Sequence, residues 1–219
     1  MIDFKSGLII EQDIERKHIP LRVPSNFRLP PYVDGLCYCT EEVDDQGKNP
    51  WCTAYAEIYR IEARKWRLYD TYESIERHAE LYAREKLIDG MPKVEGSSLT
   101  AALQAADDIG LYGDEHPMPE QVTTIEQVMY AIHSRGGLTC ALNITDAWSE
   151  TNRVTIRSGS SNFLGGHAIY VCYYDRDDEK VIGWRDSWRD TGWRNFRKMS
   201  IDEFRRQFLY GLIAGGIAR

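Results

Sequence analysis

The sequence predicts an α+β fold in which a helical part precedes a β-rich part, with a cleft where the two lobes meet. Three observations predict it. Residues 52–90 contain almost no helix breaker and are rich in Ala, Glu, Arg and Leu. Two further helical stretches follow, each opened by a capping residue and closed by glycine. After Gly137 the pattern turns to β-branched and aromatic runs, "LTCALNIT", "HAIYVCYYD" and "KVIGWRDSW".

In order along the chain, residues 1–35 read as an extended arm laid across a surface. Its "HIPLRVPSNFRLPPYVDG" carries four prolines, each restricting itself and its predecessor. Residues 36–120 form the helical lobe. Ala54, Ile58, Ile61 and Lys65 follow helical spacing, as do Ile75, Ala79, Tyr82 and Lys86, with a break near Tyr69–Tyr72 and a stop at Gly90. A third helix is capped by Ser97 or Ser98 and ends at Gly110. Residues 121–219 form the β-rich lobe, entered through a helix capped by Thr123 or Thr124 and stopped by Gly136. "RDDE", residues 176–179, reads as a hairpin turn, "SIDEFRRQF" as a short late helix, and "GLIAGGIA" as a closing strand.

Bulk properties narrow the function. The 219 residues suit one large domain or two small lobes around a shared core. The formal net charge of −7 argues against a nucleic-acid binder. A local excess of seven basic over four acidic residues between Trp184 and Arg206 reads as a solvated rim. The N-terminal apolar run is only Leu8, Ile9 and Ile10, too short for a signal peptide, and no segment approaches the ~20 apolar residues of a membrane span. Five cysteines without a signal imply reduced thiols and a cytoplasmic location. Cys37 and Cys39 form a lone C-x-C without the second pair that a structural zinc needs, so neither a metal nor another cofactor is expected. Cys140 and Cys172 fall in strands and read as core. Asp107–Asp108 and Asp177–Asp178 read as solvated charge on a helix face and in a turn.

Cys52 is different. By itself a cysteine is most often a small buried hydrophobe. Cys52 opens a helix, however, where the macrodipole and free N–H groups stabilise a thiolate. Gln46 lies six residues earlier across a turn, so its amide is able to donate into the same space. His167 follows two glycines at the start of a strand, a place from which it can take a proton from a thiol. Asp186, before Ser187 and Trp188, can accept from an imidazole N–H while the indole shields that bond. Each feature alone also has a structural reading: a strand histidine, or an aromatic hairpin with surface charges.

Taken together and in this order, the motifs resemble those of the papain-like cysteine peptidases. "QGKNPWCTAYA" is similar to the family's Gln-to-Cys turn and helix start, "GGHAIYVCYYD" to its Gly-Gly-His-Ala strand, and "DSWRDTGW" to its Asn-Ser-Trp segment. The likeness spans roughly residues 25–205 and is nearest to bacterial and phage members. It implies a two-lobe fold with a helical left lobe, a β-barrel-like right lobe and the active-site cleft between them. It implies Cys52 as nucleophile, His167 as general base and acid, Asp186 as the orienting group and Gln46 as an oxyanion donor. Gly96, Ser97, Gly166, Ala168 and Trp188 would line the substrate path, which takes a protein or peptide.

The departures are informative. Asp186 stands where the family usually has Asn, Trp51 where it has a small residue, and Thr53 where it has an aromatic one. Asn49 replaces the family's disulfide cysteine, and the Gly-Gly substrate strand appears only as "EGSSL". Trp51 either narrows the cleft or fills a gap elsewhere. The 51 residues before Cys52 are too few for the family's long inhibitory pro-segment, so latency would have to come from another source; the arm is able to fold over the cleft, though nothing in the sequence requires it. The same features admit a catalytically weak papain-like domain with a structural or binding role, as in a phage particle, or acyl transfer by the same dyad.

Overall fold

The computed structural model describes residues 7–11, 18–39, 45–149, 154–156, 162–188 and 195–215. Among them lie five helices: α1 (Cys52–Tyr69), α2 (His78–Asp89), α3 (Leu99–Asp108), α4 (Ile125–Arg135) and α5 (Ile201–Gln207). Eight strands join one sheet: β1 (Ile19–Pro20), β2 (Tyr32–Asp34), β3 (Pro119–Val122), β4 (Leu138–Thr145), β5 (Phe163–Asp175), β6 (Val181–Arg185), β7 (Phe196–Ser200) and β8 (Phe208–Ala214).

The helix ends obey local chemistry. Ser98 caps α3 by accepting from the Ala101 N–H. Thr124 and Gln127 form a reciprocal capping box on α4, and Gly136 closes that helix at φ 86°. The second helix begins at His78, later than its apolar spacing from Ile75 predicts.

The strands run in the order β1-β3-β8-β4-β5-β6-β7, with β2 on the side of β5. Only β1–β3 is parallel among these pairs. The expected barrel-like lobe is corrected here: among the described residues the sheet is open, because β1 and β7 end the order unpaired with each other. β5 begins at Phe163, four residues before His167, so the histidine lies within the strand rather than at its start. The "DTGW" part of the late motif and the "GIAR" end lie outside the described residues.

One apolar cluster fills the β-rich lobe, with Trp148, Ile169, Val171, Trp184 and Phe204 buried between the sheet, α4 and α5. A second joins α1, α2 and α3 through Ala54, Ile58, Leu81 and Ala106. A third sits where the lobes meet and contains Leu8, Cys52, Leu99, Ala168 and Tyr210. α1 passes between the lobes and is buried along its first twelve residues, Cys52 to Ala63. That depth brings charged groups inside, and they are paired. The Arg60 guanidinium meets the Glu57 carboxylate through two hydrogen bonds, Nε–Oε2 at 3.0 Å and Nη2–Oε1 at 2.5 Å, and Tyr112 bonds to both. Removing Arg60 strands a buried carboxylate, so Arg60→Ala is expected to lower unfolding stability by about 3–5 kcal/mol. Glu57→Leu combined with Arg60→Met should recover most of that loss. Urea titration of the three proteins checks it.

Candidate active site

Cys52 is the first residue of α1 and is fully buried. Trp51, at the cap position, makes no side-chain cap, so the first N–H groups of the helix remain available for an anion. The Ala168 N–H donates to Cys52 Sγ at 3.4 Å.

His167 reaches Cys52 from β5, in register with Leu142 of β4. Its Nε2 lies 3.1 Å from Asp186 Oδ1, and the ring lies beside Cys52. With Nε2 committed to the carboxylate, Nδ1 is the nitrogen left for the sulfur. Burial by itself would lower the imidazole pKa. The hydrogen bonds to Asp186 and Cys52 and the charges of both outweigh it, and the pKa rises to about 9. Asp186 is wholly buried. Burial raises its pKa, but Arg197 and His167 more than offset that, and it stays below the ordinary carboxylate value. Arg197 Nε stands 3.2 Å from Asp186 Oδ2, brought there because β7 pairs Arg197 with Trp184.

Three tryptophans enclose this pair. Trp188 stacks on the His167 ring at 4.2 Å and 14°, Trp148 meets it edge-on at 5.7 Å, and Trp184 stacks on Trp148 at 5.1 Å. A protonated imidazole gains from the facing indole and loses access to competing water.

Gln46 is buried, and it ties the two lobes together. Its N–H donates to Ser187 O at 2.9 Å, its Oε1 accepts from the Ser187 hydroxyl, and Nε2 donates to Asn49 O at 2.8 Å. A primary amide has a second N–H, so the predicted donor role is not used up by Asn49. Trp51 packs on Tyr82 at 5.9 Å and is partly buried against both the helical cluster and the cluster around Tyr59 and Tyr170. Thr53 donates to Glu85 Oε2 at 2.7 Å, and burial lifts the Glu85 pKa to about 8 despite that bond.

The predicted substrate path is occupied by the chain itself. Residues 7–11 run along Gly96 and Ser97: Ser97 N–H donates to Gly7 O at 3.0 Å, and Ile9 N–H to Ser97 O at 2.7 Å. Gly7 lies directly on the thiol, since a Cβ there would come within 2.8 Å of Cys52 Sγ. Leu8 is buried against Ala168 and Leu99, and a Cβ on Gly166 would meet Leu8 at 3.1 Å. Gly96, Ser97, Gly166 and Ala168 therefore border one slot. Trp188 does not join them; it covers the imidazole. Sequence reasoning missed Trp148 and Arg197, and it left open whether the arm folds over the cleft. Cys37 is exposed and Cys39 buried, and no metal-ligand group occurs among the described residues. Asp107 and Asp108 remain solvent-accessible charge on the face of α3, in surface ion pairs with His116 at 3.0 Å and with Arg84 at 2.5 Å.

The raised His167 pKa carries a stability signature. Its contribution is complete below the unfolded value of about 6.5 and is lost as pH rises through about 9. The stability difference between the protein and His167→Gln should therefore shrink between about pH 7 and about pH 10. A difference that stays flat in urea titrations contradicts the assignment.

No family model matches the chain, and no curated protein matches it. Solved structures do. Xylellain, a cysteine protease from Xylella fastidiosa, superposes with a TM-score of 0.77 at 17% identity, over 96% of this chain and 96% of that one. Procathepsin B S9 from Trypanosoma congolense gives 0.74 at 15%, over 96% and 86%. Digestive procathepsin L2 from Tenebrio molitor gives 0.72 at 15%, over 97% and 78%. At these identities the likeness concerns architecture, and the fold of this chain is the papain-like two-lobe fold.

Proposed function

We propose that this protein is a cysteine-type peptidase that hydrolyses peptide bonds in a protein or peptide substrate, and that its arm holds it latent. One observation carries the reading: Cys52, at the uncapped start of a buried helix, accepts from the Ala168 N–H beside His167, whose imidazole a buried carboxylate holds at 3.1 Å. The Cys52 thiolate attacks the substrate carbonyl carbon. The oxyanion is received by the Cys52 N–H and the second Gln46 Nε2 hydrogen. His167 gives its proton to the departing amine, leaving a thioester. It then takes a proton from water, which attacks the thioester and releases the acid, regenerating the thiolate beside a protonated His167.

Latency follows from the arm. By the family likeness, Gly96 and Ser97 receive residues on the amino side of the scissile bond, so a substrate runs toward Cys52. The arm runs away from it, from Gly7 at the thiol outward, parallel to Ser97. It thus covers Cys52 in the direction opposite to a productive substrate.

An epoxysuccinyl probe, with the adduct mapped by mass spectrometry, tests the chemistry. Labelling at Cys52 faster than at Cys37, and lost in His167→Ala, supports the reading; equal labelling of the two cysteines sinks it. Among variants that turn over a peptide, Gln46→Ala should lose on the order of 10²-fold in kcat. Asp186→Ala should lose about 10²-fold or more, and Asp186→Asn less, because Asn still orients the ring. Parent-like turnover by Asp186→Ala would remove the orienting role.

A further inference from the structure

The arm is anchored at its outer end by a contact that the catalytic apparatus does not need. The Glu11 carboxylate oxygen Oε2 receives the Tyr210 hydroxyl at 3.0 Å, the Thr100 hydroxyl at 2.8 Å and the Thr100 N–H at 3.4 Å. Thr100 sits in the first turn of α3, whose positive end favours an anion. Tyr210, on β8 of the other lobe, is only 4% exposed and belongs to the same apolar cluster as Leu8. His18 Nε2 lies 2.8 Å from Thr100 Oγ1, so the threonine can accept from the imidazole while donating to Glu11. The nearby Asp89 is already engaged by the hydroxyls of Ser97 and Ser98. Donors from two lobes thus converge on one oxygen beside the slot that Leu8 fills. A cavity of about 480 Å³, bordered by Ile9, Glu11, Met91 and Thr100, continues outward from it.

We propose that Thr100 and Tyr210 form a carboxylate-binding subsite of the cleft, filled in the latent protein by the chain's own Glu11 and in the working one by an acidic side chain of the substrate, at or next to the slot that Leu8 occupies. The proposal rests on the peptidase reading above. Two consequences follow from one site. Loss of the Glu11 charge loosens the arm, and a peptide carrying Glu competes for the vacated donors better than one carrying Gln, and far better than one carrying Lys, whose ammonium has nothing to accept with.

The test uses the full chain. Glu11→Ala should raise the rate of epoxysuccinyl labelling at Cys52 about tenfold or more over the parent, with Glu11→Gln in between. Peptides bearing Glu, Gln or Lys at the two positions around the Leu8 slot are then compared in Glu11→Ala. Turnover should favour Glu over Lys by about tenfold or more, and that ratio should collapse when Tyr210→Phe or Thr100→Val is added. Binding of the same peptides to Glu11→Ala combined with Cys52→Ala reads the subsite without chemistry. Equal binding of the Glu and Lys peptides overturns the subsite even if turnover is brisk. Preferential binding of Glu with no turnover in any variant supports the subsite and overturns the peptidase reading instead. A labelling rate in Glu11→Ala equal to the parent's overturns the anchoring role.

Discussion

The site depends on a carboxylate buried from bulk solvent. Asp186 is fully buried, and an isolated anion in such surroundings is costly enough that it would normally take up a proton. It remains ionised because Arg197 approaches one oxygen and His167 the other. Much of the β-rich lobe is arranged around that requirement. The β6–β7 ladder sets Trp184 opposite Arg197, β5 carries His167, and Trp148 and Trp188 close the remaining faces of the ring. The Asp186 carboxylate is thus matched by a buried arginine across the ladder, and the imidazole responds with a raised pKa.

The helical lobe supplies the other half. α1 delivers Cys52 at its positive end while the rest of the helix is locked between lobes by apolar packing and the Glu57–Arg60–Tyr112 cluster. The two halves meet through short-range polar contacts, Gln46 with Ser187 and the Ala168 N–H with Cys52 Sγ. The arm crosses the same junction, inserting Leu8 into the apolar cluster that contains Cys52. Access to the thiol is therefore coupled to how firmly residues 7–11 are seated.

What could be read from the sequence is what local chemistry determines. Ser98, Thr124 and Gly136 mark helix ends because capping is a contact between near neighbours. That Cys52, His167 and Asp186 lie together was foreseeable because their motifs, taken in order, resemble a known set; the structure brings the three side chains into one buried cluster. His167 was misplaced within its strand because Gly165 and Gly166 look like a loop, yet both pair with β4. Arg197 and Trp148 carry no such mark; only the register of β7 against β6 and the packing of three indoles give them a role. That the arm folds over the cleft was open from the sequence, but which of its residues enter was not legible, since the partners of Gly7 and Leu8 at Cys52, Ser97 and Gly166 are distant in the chain. The open sheet likewise depends on which strands meet at the edges, which strand composition does not encode.

The central claim is that His167 is a cation bound between Cys52 and Asp186. Nitrogen-15 NMR of histidine-labelled protein tests it most directly, with the His167 signals assigned by their loss in His167→Ala. The account predicts imidazolium shifts for His167 at neutral pH and a titration near pH 9. A neutral His167 at pH 7, titrating near the ordinary value of about 6.5, would contradict it.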